Sequence, residues 1–204
     1  MPRKFLELAV TPSVLRAQEQ AYGRARVVSG APERDVLGPS EIEFIAERDS
    51  FYMATVTESG WPYVQHRGGP AGFLRVVGPA TLGFADHQGN RQLLSTGNVG
   101  ADDRVSLFLM DYPHRRRLKL LGHARIESAS GNAALVERLA EPSLRPLVER
   151  LFLVDVVAFD WNCPKYITPR FTADELRGVV EPLTQRIADL ERQLERQAKG
   201  GDAV

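Results

Sequence analysis

The sequence predicts a mainly β (α+β) fold, an antiparallel barrel of about six strands with short flanking helices and a C-terminal helix. Three observations carry that expectation. Between residues 51 and 161 the apolar residues fall in short β-branched and aromatic blocks separated by Gly, Pro, Asn and Asp. These blocks follow one another with few long helical stretches between them, unlike the strand–helix alternation of a parallel sheet. No GxGxxG turn is present, so a dinucleotide-binding fold is disfavoured.

The elements follow in order. TPSVLRAQEQAYG offers Thr11 as a cap, Pro12 at a tolerated first position and Gly23 as a stop, and reads as a short helix. After a loop with Gly30, Pro32, Gly38 and Pro39, SEIEFIAERDS has Ser40 and Glu43 at capping-box spacing and an apolar stripe of Ile42, Ile45 and Ala46. From Phe51 the period changes to two. FYMATVT, the turn ESG and WPYVQH read as a hairpin, and FLRVV and ATLGFAD follow, divided by Gly78 and Pro79. The stretch GNRQLLSTGNVGADDRVSLFLM opens as a short helix and ends as a strand. LKLLGHARIES and LFLVDVVAFDW are long enough to bend around a barrel, and SGNAALVERLAEPSLRPLVER between them reads as helical.

The tail FTADELRGVVEPLTQRIADLERQLERQ opens on a second capping-box pair, Thr172 and Glu175, and carries Pro182, which should kink or restart the helix. Leu176, Val180, Leu183, Ile187, Leu190 and Leu194 are spaced four, three, four, three and four residues apart. That heptad seam either lies on the chain's own barrel or pairs with a second copy. KGGDAV should be disordered. The chain thus divides into a helix-and-loop extension over 1–39, a barrel domain over 40–171 and a helical segment with a disordered end over 172–204.

The totals bound the function. Lys and Arg number 26 and Asp and Glu 26, so no overall field draws the chain to nucleic acid or an anionic membrane. No run of about 18 apolar residues is present for a membrane span, and the N-terminal stretch lacks the unbroken apolar core of a signal peptide. A single Cys163 rules out an internal disulfide framework and suits a reducing compartment, with the cytoplasm as the default. His66, His87, His114 and His123 are scattered without metal-ligand spacing, and Ser95 lacks a GxSxG elbow.

Two clusters remain. Asn90, Arg91, Gln92, Ser95 and Thr96 follow Gly89 as a flexible turn bearing a guanidinium, amides and hydroxyls, which would suit a phosphate or simply meet water. Gln65, His66 and Arg67 end a strand before Gly68 and Gly69, which would let a ligand approach the backbone or form a bulge. DYPHRRRLK adds a third basic segment, where alternation puts Arg115 and Arg117 on one strand face and Arg116 on the other.

Taken in order, MATVTESGWPYVQHR, TLGFADHQGNRQLLST, DDRVSLFLMDYPHRRRLKLLGHARIES and FDWNCPKYITPRF resemble the pyridoxamine 5'-phosphate oxidase-like family of FMN-binding split barrels, over roughly residues 40 to 170. The resemblance implies an FMN-binding split β-barrel that works as a homodimer with the flavin at the subunit interface. It puts Gln65, His66 and Arg67 on the strand along the flavin and its ribityl chain, and Phe84 and Ala85 on the strand whose backbone touches the ring. It makes Asn90 to Thr96 the phosphate-binding helix start, with Arg91 as the phosphate-binding arginine and Gln92 where a lysine is usual. Arg117 falls where members often place a glutamine toward the ring, Trp161 resembles a late tryptophan bordering the flavin, and Arg170 matches a late arginine on the phosphate side.

The implied activity is that of an FMN-dependent oxidoreductase on a small, anionic substrate. Members that oxidise vitamin B6 end in a basic arginine and histidine clamp, whereas this chain reads CPKYITPRFTADEL, so that substrate is not expected. A non-catalytic flavin- or haem-binding barrel and a coenzyme F420-dependent reductase share the fold and stand as alternatives.

Overall fold

The computed structural model describes residues 3–161 and 163–201, with residues 195–201 as backbone only. Its contacts divide the chain into two units. The first runs to Asp111 and resumes from Arg116 to Lys165; the second joins Tyr112–Arg115 to the segment from Tyr166 onward.

The first unit is built on one antiparallel sheet of seven strands: β1 (Ser50–Val56), β2 (Pro62–Gly68), β3 (Arg75–Gly78), β4 (Thr81–His87), β5 (Arg104–Asp111), β6 (Arg116–Ser128) and β7 (Val148–Trp161). Their order is β2-β1-β5-β6-β7-β4-β3, so β2 and β3 are edges and the barrel is split rather than closed. Alternation explains the strands. In β5 the buried positions Val105, Leu107, Leu109 and Asp111 are every second residue, and in β1 Phe51, Met53 and Thr55 are the inward ones. The apolar ones among these side chains join Leu82, Phe84, Leu118, Leu120, Phe152 and Val154 in one core, which Phe44 and Ile45 of α3 (Pro39–Ala46) complete.

Beside the register shift between Val76 and Gly78 in the edge strand β3, two more interrupt the sheet. One separates Leu121 from Gly122 opposite β7, where a Cβ on Gly122 would stand 2.6 Å from the Asp155 carbonyl oxygen. Only glycine lets β6 and β7 approach so closely there. The second lies between Asp86 and His87 at the end of β4.

Several local expectations change. KFLELA forms an unforeseen helix, α1 (Lys4–Ala9), held by Glu7, which takes Lys4 Nζ at 2.9 Å and the Ala31 N–H at 3.1 Å. The helix expected over TPSVLRAQEQAYG is α2 (Pro12–Tyr22), stopped by left-handed Gly23. Helix α3 is capped two residues earlier than Ser40 and Glu43 imply: Gly38 is the cap, and the Glu41 carboxylate accepts its N–H at 2.9 Å. Pro39 at the first position explains the shift, because its missing N–H is one the helix start leaves unused. The strands number seven against about six expected, and FLRVV supplies one of them: Arg75–Gly78 pairs with β4. Between β6 and β7 the helix is only α5 (Ala133–Leu139), followed by a 3-10 turn at Arg145–Leu147; Val148–Arg150 already belong to β7. Gly83 leaves room for α5, since a Cβ there would meet Leu139 at 3.0 Å.

In the second unit, α6 (Ala173–Gly201) opens on the expected capping box, with Glu175 accepting from Thr172 N–H at 2.7 Å and Thr172 Oγ1 accepting from Glu175 N–H at 3.2 Å. The helix neither stops nor restarts at Pro182, and it continues through Gly201. Of the segment KGGDAV, expected to be disordered, residues 199–201 continue α6, and residues 202–204 lie outside the described residues. No helix among the described residues is long and apolar enough to cross a membrane.

Gly122→Ala should cost about 1–3 kcal/mol, the usual scale for forcing an extra carbon into a packed interior. Thermal unfolding checks it: the midpoint should drop by several degrees, and an unchanged midpoint would show that the bulge yields to a methyl group.

Candidate functional site

Sheet order sets β2 and β4 near opposite ends, yet curvature brings them together. Arg67 of β2 reaches Asp86 of β4 with Nη1 to Oδ1 at 2.6 Å, across the split. Arg150 of β7 stands directly across from Asp86 in the β4–β7 ladder and gives its Nε to Oδ2 at 3.0 Å. One carboxylate therefore fixes two guanidiniums, and the Arg67 and Asp86 side chains are only 14% and 13% exposed. The outer Nη2 of Arg150 pairs with Glu149 at 2.8 Å. The Arg67 guanidinium also lies over the stacked rings of Phe84 and Phe152, at 5.6 and 5.2 Å from their centroids.

Above this ion-pair chain lies a cavity of about 220 Å³, lined by β2, the end of β4, Arg150 and the segment from Gly89 to Thr96. That segment is unusual in its backbone. Arg91 and Leu93 have φ of 62° and 52°, a left-handed conformation that costs a non-glycine residue about 1–3 kcal/mol. The Asn90 side-chain oxygen takes the Gln92 N–H at 3.1 Å and steadies the turn. Helix α4 (Leu94–Ala101) then starts without a side-chain cap, because Leu93 has no polar atom to offer. A left-handed residue followed by a helical one turns consecutive N–H groups to one side, and the first turn of any helix has N–H groups without internal acceptors. Leu94, Ser95 and Thr96, all lining the cavity, are that first turn.

Helix α4 is anchored by two side-chain bonds. Ser95, buried, donates its hydroxyl to Gln65 Oε1 at 2.8 Å, and Asn98 donates to the buried Thr55 hydroxyl at 2.9 Å. Because the Gln65 oxygen is engaged, its NH2 end is the one free to donate to a ligand. At the far end of α4, Arg104 holds the Asp102 carboxyl down at about 2, chiefly by the side-chain hydrogen bond and then through its own N–H, which ties the helix end to β5.

The lining has the chemistry of an anion site. Arg67, Arg91 and Arg150 stand against one carboxylate, Asp86, so its formal charge is +2, which matches a phosphate dianion. Among the described residues Arg67 Nε and His87 Nε2 are buried with no hydrogen-bond partner, a costly condition that a ligand acceptor relieves. These residues fit the phosphate end of a flavin mononucleotide.

Of the residues singled out from sequence, Gln65, Arg67, Asn90, Arg91, Gln92, Ser95 and Thr96 line this one cavity. Others lie apart. His66 alternates to the exposed face of β2 and meets the Tyr52 ring edge-on at 5.6 Å. Phe84 and Ala85 are buried in the two core clusters. Arg117 covers Phe108 at 5.2 Å. Trp161 donates to Glu41 at 2.7 Å and packs edge-on against Phe44, with Arg116 over both rings. Arg170 belongs to the second unit, where its guanidinium covers Tyr112 at 5.1 Å. Arg115 is a turn residue with φ of 54°, so it does not share a strand face with Arg117. Gly69 accommodates Phe73, whose ring a Cβ would meet at 2.8 Å.

Sequence reasoning missed Tyr63, Asp86, His87 and Arg150. Asp86 had a signal, an acidic residue ending an apolar strand; Arg150 was hidden by reading its segment as helix.

Asp86→Asn leaves two guanidiniums with a weaker acceptor and should lower stability by about 1–3 kcal/mol, less than a fully buried pair because water still reaches the site. Millimolar phosphate should then raise the thermal midpoint more in the variant than in the wild type. No response to phosphate in either protein would contradict the anion-site assignment.

The family model for pyridoxamine 5'-phosphate oxidase matches residues 37–152, more than half of the 204-residue chain. No curated protein matches the chain. Solved structures similar to it include HupZ from Group A Streptococcus, 12% identical, covering 66% of this chain and 100% of that one with a TM-score of 0.49. General Stress Protein 26 from Bacillus anthracis is 16% identical, covering 65% and 95% with a TM-score of 0.46. The haem storage protein HutZ from Vibrio cholerae is 19% identical, covering 61% and 93% with a TM-score of 0.42.

Proposed function

The chain belongs to the pyridoxamine 5'-phosphate oxidase family, and from that premise we propose that it binds FMN by its phosphate in the cavity between β2, β4 and the start of α4 and acts as an FMN-dependent oxidoreductase. The observation that carries the reading is the doubly positive lining around the half-buried Arg67, whose Nε is buried and has no acceptor among the described residues. A dianionic phosphate supplies the charge and the acceptors together.

The roles of the chain's own groups follow. Arg67 is held in place by Asp86 and offers a preset donor. Arg91, exposed and on a strained turn, adds charge from the loop side, and the first amides of α4 add their dipoles. Gln65, oriented by Ser95, donates along the chain that leads from the phosphate. Bound FMN supplies the hydride-accepting ring, and the protein supplies binding, orientation and charge. Pyridoxamine phosphate is not the proposed substrate, because the segment after Trp161 enters α6 without the arginine and histidine clamp.

A cavity of about 220 Å³ is smaller than the roughly 300–1,000 Å³ typical of small-molecule sites. It suits the phosphate end, while the ring lies outside it and needs cover. Tyr52, Trp61 and Val64 on the β1–β2 hairpin are exposed apolar surface of the kind a second copy would bury, which supports a homodimer with the flavin between subunits. A polar, cationic lining favours a phosphate over a haem, which needs an apolar slot. A reducing cytoplasm fits a chain whose one cysteine is Cys163.

Arg91→Ala tests the reading. Losing a charge-assisted contact of about 1.5–3 kcal/mol should weaken FMN roughly ten- to a hundred-fold in a fluorescence titration. Riboflavin, without the phosphate, should bind the variant and the wild type alike. Equal weakening of both flavins would make Arg91 a structural residue. On the wild type, anaerobic NADH or NADPH should bleach the bound flavin; failure of both would leave a binding protein rather than a reductase.

A further inference from the structure

We infer that α6 pairs with α6 of a second copy as a parallel, in-register, two-stranded coiled coil. Its six seam residues, Leu176, Val180, Leu183, Ile187, Leu190 and Leu194, are each between 41% and 64% exposed. Their spacing sets Leu176, Leu183 and Leu190 at the d positions and Val180, Ile187 and Leu194 at the a positions of a heptad. Leucine at every d and β-branched residues at two of three a positions is the combination that favours two parallel strands over higher assemblies.

Charge points to the same partner. Arg186 is a g residue and Glu191, five positions on, is an e residue, the pair that meets between helices in a parallel dimer. By symmetry each copy contributes one of each, so the contact forms twice. Among the described residues neither Arg186 nor Glu191 has an ion-pair partner, whereas Asp189 and Arg192, at outward positions, pair within the helix at 2.5 Å. The flanking g–e contact one heptad earlier joins Val179, itself exposed, to Thr184, so it brings no like charges together. Pro182 occupies an outward c position, and the helix runs through it. Its missing hydrogen bond therefore falls away from the seam.

Cross-linking tests both the partner and the direction. In the full chain with Cys163→Ser, Ile187→Cys should give a disulfide-linked dimer on mild oxidation, because an a residue of a parallel pair meets its own counterpart. Gln185→Cys, at an outward position, should link several-fold less. Adding Arg186→Glu to the Ile187→Cys chain should cut the linked fraction several-fold, and a further Glu191→Arg should restore it. Linking only when Leu183→Cys and Ile187→Cys chains are mixed would show antiparallel pairing and overturn the inference. So would no linking at all, which would mean that the chain's own residues or another partner cover the stripe. FMN bound to the same samples, read by absorbance, separates a failure of helix pairing from a failure of the flavin reading.

Discussion

The chain of charge from Arg67 through Asp86 to Arg150 is the interaction on which the site depends. A split barrel has two open edges, and here a side-chain contact of 2.6 Å rather than a backbone ladder spans the gap between β2 and β4. Sharing one carboxylate satisfies two guanidiniums while leaving positive charge at the surface of the cleft. A second carboxylate in the lining would have cut its formal charge to +1; none would have left two arginines poorly paired. One acid among three arginines holds the barrel together at this seam and keeps the site attractive to a dianion.

The backbone on the other side completes that arrangement at a cost. Arg91 and Leu93 occupy left-handed conformations that glycine would accept more easily, and Leu93 gives α4 no cap. Strain and an uncapped helix start both favour a ligand whose oxygens can accept the free N–H groups. The rigid parts lie behind: Ser95 is clamped to Gln65, and Asn98 to Thr55 of β1. The variable element is the exposed loop, and the fixed element is the helix that follows it.

Much of this was legible in the sequence, for reasons that also explain the rest. Period-two alternation marked β1 and β5 because each has one face in the core and one outside, and β2 because its residues alternate between half-buried and exposed. The residues from Asn90 to Thr96 were legible as a group because turn, charge and hydroxyls are adjacent in the chain. Asp86 and Arg150 were not, since their partnership is a cross-strand register separated by 64 residues. Arg150 was further hidden because SLRPLVER has helical composition while Val148 onward is held in β7 by its pairing with β4 and β6. Alternation alone also misassigned Arg115, whose left-handed turn ends the hairpin before the strand begins. Gly122 gave no sign of purpose, because Asp155, the neighbour that requires it, appears only in three dimensions, and Gly69, read as room for a ligand or a bulge, faces the Phe73 ring.

The central claim is that the phosphate of FMN sits at the seam between β2 and β4. A crystal structure of the protein grown with FMN measures this most directly. The account predicts the phosphorus peak within hydrogen-bonding reach of Arg67 and Arg91, beside the first amides of α4, with the ring outside the cavity. Phosphate bound instead at the basic turn of Arg115, Arg116 and Arg117, or a flavin ring inserted beside Asp86, would contradict it.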